Sequence, residues 1–247
     1  MAHPLENCAN AQRTRPFCKK AFLTCDECDD VCNEVDRLRM SVGSCFRDAS
    51  GSHCSRGQAV WETLWLHTEG KFYESSIGTR LADNVISLAR SVDEQEGWNM
   101  LRGRDVNIRV IESHRYHGGG GLAHETHHDR GSLITIDIML RDDFVGGEFA
   151  TLEADGVVKT WSDFAMGDAM VFASNKYHKI NPVLSGMRQV IVFEIWDGPR
   201  RTCAHRCTKN PRGENAEPPQ SRPAEDGSSS CGYSLRKNIR ENMMMFA

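Results

Sequence analysis

With 247 residues, 39% of them hydrophobic and 26% charged, the chain is long enough for one substantial core with appendages and has the balance of a globular rather than a disordered protein. Its net charge of -4 argues against nucleic acid as a partner, because polyanion-binding proteins carry a surplus of Lys and Arg. No stretch approaches the roughly 20 apolar residues of a bilayer span, so no membrane span is expected.

In chain order, composition separates a cysteine-rich segment at 1–56, a domain at 57–199 whose core spans 106–197, and a polar tail at 200–247. Seven of the ten cysteines fall between Cys8 and Cys54, a density typical of oxidised extracellular modules. That suggests the secretory pathway or the ER lumen. Residues 1–10, however, lack the basic start and apolar middle of a secretory signal, so the compartment stays open. Cys25-x-x-Cys28-x-x-x-Cys32 would bring three sulfurs near one face of a helix. Zinc would need a fourth ligand, another Cys or His53, and disulfides are the favoured expectation. Cys203 and Cys207 would pair with each other or with the head. The tail, rich in Pro and Ser, has few apolar groups to offset its ordering entropy and is expected to be loosely ordered.

Within 77–92, Leu81, Val85, Ile86, Leu88 and Ala89 form one stripe at helical spacing, which predicts a supporting helix. After Trp98 the pattern changes to β-rich runs at 106–111, 133–140, 148–152, 169–173 and 189–196. Glycine-bearing turn signals separate them, including Gly146-Gly147, which reads as a tight turn where φ > 0 is needed. No repeat of 20 to 50 residues is present, which argues against a solenoid or propeller. The fold class expected is mainly β with flanking α helices, built on a double-stranded β-helix or jelly-roll core.

The richest set of potential ligands is His124-Glu125-Thr126-His127-His128-Asp129. If this segment enters a strand, a period of two places His127 and Asp129 on one face and His128 on the other. His178, just beyond the run at 169–173, supplies a third group. Two histidines and one carboxylate leave coordination positions open, as non-haem iron(II) oxygenases require, whereas a closed structural zinc site does not.

Several ordered landmarks extend this reading. They are Tyr116 before a glycine run, His127-x-Asp129-x-x-Ser132, Asp143-Phe144-Val145-Gly146-Gly147-Glu148-Phe149, Gly167-Asp168-Ala169-Met170-Val171-Phe172, His178, and Pro182-Val183 followed by Gly186-x-Arg188. Together they make the stretch 109–196 resemble the prolyl 4-hydroxylase type of 2-oxoglutarate- and Fe(II)-dependent dioxygenases. The resemblance implies His127, Asp129 and His178 as iron ligands, Arg188 as the partner of the distal 2-oxoglutarate carboxylate, and Tyr116 as a helper. A guanidinium suits a dicarboxylate independently, since it is always charged and donates paired parallel hydrogen bonds. Val190 stands where the family often has Ser or Thr.

The implied reaction consumes Fe(II)-bound O2 and 2-oxoglutarate, releases succinate and CO2, and hydroxylates a C–H bond, peptidyl proline included. Ascorbate is implied as a reductant of the iron. Asp129 itself disfavours halogenation, for which related enzymes replace the carboxylate by a small residue. The substrate is expected to be a protein, a peptide or a small metabolite, selected by loops near 118–125 and 174–179. Oxidation of a nucleobase or modified lysine is less favoured by the acidic balance. Competing readings are a cupin-like module that binds metal or ligand without turnover, and a cysteine-rich interaction module carried by the β domain.

His114, His117, His124 and His128 are given no role, and His124-Glu125 is the alternative register for the ligand pair. Trp196, Phe193 and Phe172 read as core. Glu194 shares the strand face of Arg188, and the sequence offers it no partner.

Overall fold

In the structure, a computed structural model that describes residues 3–206, the chain begins with α1 (Cys8–Ala11), β1 (Phe17–Lys19), α2 (Cys25–Leu38), β2 (Gly43–Arg47), β3 (Trp61–Trp65) and α3 (Ser76–Gln95). Nine strands follow: β4 (Asn107–Tyr116), β5 (Ile134–Arg141), β6 (Phe144–Gly146), β7 (Phe149–Leu152), β8 (Val158–Trp161), β9 (Ala169–Ala173), β10 (His178–Ile180), β11 (Val183–Gly186) and β12 (Arg188–Trp196). The tail expectation for 207–247, and any bridge to Cys207, lie outside the described residues.

Both long helices start on side-chain caps. Thr24 Oγ1 accepts from the Glu27 amide at 3.2 Å while the Glu27 carboxylate accepts from the Thr24 amide at 3.0 Å, a reciprocal capping box that opens α2. Ser75 accepts from the Gly78 amide at the start of α3, whose buried stripe is Leu81, Ala82, Val85, Ala89 and Val92, as the periodicity at 77–92 predicts. After α3 the buried Asp93 accepts from the amides of Met100 at 2.8 Å and Leu101 at 2.9 Å, fixing the chain reversal into β4. Asp93→Ala would strand two buried amides, each costing about 1–3 kcal/mol. A fall of at least about 2 kcal/mol in unfolding free energy is expected in a urea titration.

Seven strands form one antiparallel sheet in the order β1-β9-β5-β12-β4-β3-β2, faced by a three-stranded sheet, β10-β7-β8, and a two-stranded one, β11-β6. One face of the large sheet packs Ile134, Ile136, Ile138, Ile191, Phe193 and Ile195 against Val31, Val35, Leu38, Leu81, Val85 and Val92 of the helices. The other face meets the small sheets through Tyr116, Met139, Met170, Phe172, Val190 and Val192, with Phe149, Trp161, Ile180 and Val183 opposite. The chain is thus helices on a jelly-roll sandwich, the expected class. Phe172 and Phe193 are fully buried and Trp196 nearly so, as core residues.

The expected run at 106–111 extends to Tyr116 because Glu112 and His114 are strand residues whose side chains face the interior, so their polarity hides the strand from a hydrophobicity pattern. β8 escapes the same reading because Val158, Lys159 and Thr160 are all exposed. Gly146 and Gly147 have φ of 75° and 66°, and a Cβ on Gly146 would stand 2.5 Å from the Pro182 carbonyl oxygen. The turn therefore requires glycine, as expected.

The cysteine-rich segment shares the large sheet: β1 pairs with β9 and β2 with β3. The expectation of disulfides there is corrected. Cys8, Cys18, Cys25, Cys28, Cys32, Cys45 and Cys54 are free thiols. Helix α2 forms, yet its sulfurs do not share one environment, since Cys28 and Cys32 are buried in the helix–sheet core and Cys25 is exposed. Cys28 Sγ lies 3.8 Å from the Met139 carbonyl oxygen, and burial pushes its pKa up to about 12. Cys28 and Cys32 act as small apolar residues.

Candidate metal and co-substrate site

The segment 122–129 is not a strand but a loop with a turn closed by the His127 amide donating to His124 O at 3.2 Å, its two ends clipped antiparallel to 174–180. The Leu122 amide donates to Ile180 O at 3.0 Å, the His178 amide to His127 O at 3.0 Å, and the Asp129 amide to Ser174 O at 2.8 Å. This clip produces the alternation that a strand would have produced. His127 and Asp129 converge, while His128 turns away to Tyr177, with ring centroids 5.6 Å apart.

His178, first residue of β10, completes the group. One ligand atom each from His127, Asp129 and His178 lies within 4.8 Å of the others, and among the described residues no other three Cys, His, Asp or Glu side chains converge in this way. His127 Nε2 is 3.5 Å from Asp129 Oδ1, and His178 Nε2 is 3.8 Å from Asp129 Oδ2. His178 Nδ1 sits 3.0 Å from Lys176 O, a contact that leaves Nε2 as the atom facing the carboxylate and fixes the ring. Phe149 and Phe172 flank the imidazole at centroid distances of 5.8 and 4.8 Å. Burial lowers the His178 pKa to about 4, so the ring is neutral and able to ligate at pH 7. His124 is exposed and stands outside the group.

Asp129 is itself held. Its Oδ2 accepts from Thr135 Oγ1 at 2.7 Å, and Thr135 Oγ1 is 2.9 Å from Ser174 Oγ. Burial would raise its pKa, but Arg206 and the two imidazoles hold the carboxyl well below the usual range. Thr135→Val should keep the fold and weaken divalent-metal affinity about tenfold, as loss of a ligand-orienting hydrogen bond does. A Mn(II) titration by calorimetry checks this, and an unchanged affinity would remove Thr135 from the site.

Strand register places the second part of the site. Tyr116 faces Arg188, His114 faces Val190 and Glu112 faces Val192 across β4 and β12, while Asp137 of β5 faces Val192. Arg188 is 0% exposed, and Nε, Nη1 and Nη2 of its guanidinium have no hydrogen-bond partner. Its nearest aromatic companion is the Tyr116 ring, 5.7 Å from Cζ. Burial raises the Tyr116 phenol, which stays neutral. Burial also lifts the Asp137 carboxyl to about 7, with Arg188 opposing and Asp129 and Glu194 reinforcing.

Sequence reading missed several neighbours. Glu194 is 0% exposed and accepts from Ser132 Oγ at 2.5 Å and from Arg109 Nη1 at 3.1 Å. Arg206, beyond the last strand, donates to both Asp129 and Glu194. Glu112 is bonded to Trp65 Nε1 at 3.1 Å and paired with His114 Nε2 at 3.1 Å. Burial opposes its ionisation, yet His114 and Arg206 bring it down to about 2. His114 therefore supports an interior carboxylate. Strand parity is the one sequence signal that could have singled out Glu112 and Asp137 as interior. The segment 174–179, expected to be a mouth loop, is a support instead, since Ser174 and Lys176 are fully buried.

No family model and no curated protein matches the sequence. Solved structures do match in three dimensions. A prolyl-4-hydroxylase from Pseudomonas putida superposes with a TM-score of 0.53 at 15% identity, covering 78% of this chain and all of that one. The non-haem α-ketoglutarate-dependent epimerase SnoN from nogalamycin biosynthesis, in complex with Fe3+, α-ketoglutarate and nogalamycin RO, gives 0.55 at 16%, covering 87% and 93%. The chain has the fold of the 2-oxoglutarate- and Fe(II)-dependent oxygenases. In this oxygenase fold the triad and Arg188 open on one interior, between the large sheet and the small ones. Among the described residues no helix is long and apolar enough to cross a membrane.

Proposed function

We propose that this protein is an Fe(II)- and 2-oxoglutarate-dependent oxygenase that hydroxylates a C–H bond, with His127, Asp129 and His178 holding the iron and Arg188 receiving the distal carboxylate of 2-oxoglutarate. The observation that carries this reading is Arg188. A fully buried cation without a hydrogen bond is costly to keep, and it fits an anionic ligand entering the same interior as the triad. Two imidazoles and one carboxylate are the donor set that suits ferrous iron and leaves coordination positions open.

When bound, the iron supplies oxygen activation coupled to oxidation of 2-oxoglutarate, so that substrate, O2 and 2-oxoglutarate give hydroxylated substrate, succinate and CO2. The chain's own contribution is positioning and exclusion of water. Thr135 and Ser174 orient Asp129, the Lys176 carbonyl orients His178, and Phe149, Phe172, Val190 and Val192 close the interior around the reactants. Tyr116, opposite Arg188 in the ladder, supports the same carboxylate. Ascorbate is proposed as the reductant that restores oxidised iron, and peptidyl proline as a substrate to test, both from the family resemblance.

The test is anaerobic loading with Fe(II) and 2-oxoglutarate, followed by oxygen. A 2-oxoglutarate-dependent absorption band and then oxygen-dependent succinate are expected, with a rate that ascorbate sustains. A cupin-like binding module would take up the metal and release no succinate, and that result would overturn the proposal. An interaction module carried on the β domain would fail in the same way.

A further inference from the structure

We propose that Asp137 is a co-substrate-binding residue: as a neutral carboxylic acid it donates a hydrogen bond to an oxygen of 2-oxoglutarate, so that the co-substrate binds together with a proton. The proposal rests on the oxygenase reading and adds a residue to its site. Asp137 lies on β5 opposite Val192 of β12 and Met170 of β9, and strand parity gives it the interior face that also carries Arg188, Tyr116 and Thr135. It is 6% exposed, and among the described residues its carboxyl makes no hydrogen bond and no ion pair.

Every other carboxylate of this interior is held by the chain. Thr135 and Arg206 hold Asp129, Trp65 and His114 hold Glu112, and Ser132, Arg109 and Arg206 hold Glu194. Arg188 does not serve Asp137, since none of its guanidinium nitrogens is hydrogen-bonded. Two polar side chains that share one interior and lack partners point to a ligand that satisfies both. A buried polar group without such a partner is costly.

Charge decides the form in which Asp137 acts. Asp129, Glu112 and Glu194 stand against Arg109, Arg188 and Arg206, three carboxylates against three guanidiniums. His114 Nδ1 accepts from Trp61 Nε1 at 3.2 Å, so the proton that bonds to Glu112 sits on Nε2 and the ring adds no charge. Imidazoles that ligate a metal are neutral as well. A divalent metal and the 2-oxoglutarate dianion cancel each other, so the interior stays balanced only if Asp137 keeps its proton. Ionised, it would be a buried anion without a partner beside a dianion.

The groups that face Asp137 agree with this. Burial lifts its carboxyl to about 7, with Asp129 of the loop, Glu194 of β12 and Glu112 of β4 acting in the same direction and Arg188 of β12 against them. From β9 it meets Met170, and the small sheets bring Phe149, Ile180, Val183 and the neutral His178 to the same interior. Where free Asp137 is ionised, 2-oxoglutarate must bring a proton with it. Affinity is therefore full at low pH and falls as pH rises.

The experiment titrates 2-oxoglutarate into the full chain loaded with Mn(II), by calorimetry at about pH 6 and about pH 8, using at the higher pH two buffers of different ionisation enthalpy. Wild type should take up close to one proton per 2-oxoglutarate at the higher pH and bind about tenfold more weakly there than at the lower. Asp137→Asn keeps a donor in neutral form, so it should bind without proton uptake and within about twofold equally at both pH values. Asp137→Ala, which has no donor, should bind about tenfold more weakly than Asp137→Asn at both. Absence of proton uptake in wild type, or the same uptake in Asp137→Asn, would overturn the proposal.

Should the variants not fold, infrared difference spectroscopy on wild type carries the test. Adding 2-oxoglutarate to the Mn(II) form at the higher pH should produce a protonated-carboxyl band that shifts in heavy water and stays put with isotope-labelled 2-oxoglutarate; its absence would overturn the proposal. The two readings fail differently. Binding without a proton, with oxygen-dependent succinate intact in the Fe(II) form, removes Asp137 and spares the oxygenase, whereas proton-coupled binding without succinate does the reverse. No binding of 2-oxoglutarate at either pH overturns both.

Discussion

Arg188→Met should make the protein more stable in the absence of 2-oxoglutarate and unable to bind it. Arg188 is 0% exposed and none of its guanidinium nitrogens is hydrogen-bonded, so in the ligand-free protein it stands as a desolvated cation. Burial presses its pKa downward, with Tyr116 and Asp137 opposing. Replacing a buried charge by an apolar side chain of similar volume is often stabilising by about 1–4 kcal/mol, and the Tyr116 ring, 5.7 Å from Cζ, belongs to an apolar cluster with Met139, Val190 and Phe149. The same change removes the group that would pair with a carboxylate, and truncating one partner of a buried charged pair costs about 2–5 kcal/mol, or more than about thirtyfold in affinity. Thermal unfolding and 2-oxoglutarate calorimetry on the Mn(II) form read both effects. A variant that is less stable and binds 2-oxoglutarate as well as wild type would show that Arg188 is structural and would leave the co-substrate reading without its anchor.

Removing single ligands should have the other large effect. Asp129→Ala, His127→Ala and His178→Ala are each expected to weaken Fe(II) or Mn(II) binding by more than about a hundredfold, because even loss of groups behind the ligands costs about 10–100-fold. His124→Ala should leave the affinity within about twofold of wild type. The geometry behind this contrast is the clip between 122–129 and 174–180, which brings His127, Asp129 and His178 within 4.8 Å and leaves His124 outside. Asp129→Ala also frees Arg206 from one of its two carboxylates, so circular dichroism should confirm that the variant is folded before its metal affinity is judged. Loss of metal in His124→Ala with retention in His127→Ala would shift the ligand pair to the alternative register.

Much of the frame was legible because it depends on local periodicity. The stripe of Leu81, Val85 and Ala89 marks α3, the β-rich runs at 133–140 and 189–196 mark β5 and β12, and the Gly146-Gly147 pair marks a turn whose φ values only glycine takes easily. The convergence of His127 with Asp129 was legible for a related reason, since residues two apart can share a side, while His178 came from its place just beyond a predicted strand. Strands whose inward residues are polar, as in 112–116, and strands mostly exposed on the outside, as at Val158, Lys159 and Thr160 of β8, were not, because hydrophobic pattern carries most of a strand's signal in one sequence.

Composition, spacing and the order of short motifs determined by themselves the β class, the helix behind it, and the three side chains that converge on one point. Only the tertiary structure decided what surrounds that point. Glu194 meets Ser132 and Arg109 across 62 and 85 positions of chain, Arg206 returns 77 positions to Asp129, and Cys28 and Cys32 of the head join the core rather than bridge. The physical reason is that periodicity encodes which way a side chain faces, whereas the partner it meets depends on how distant strands and straps are laid against one another.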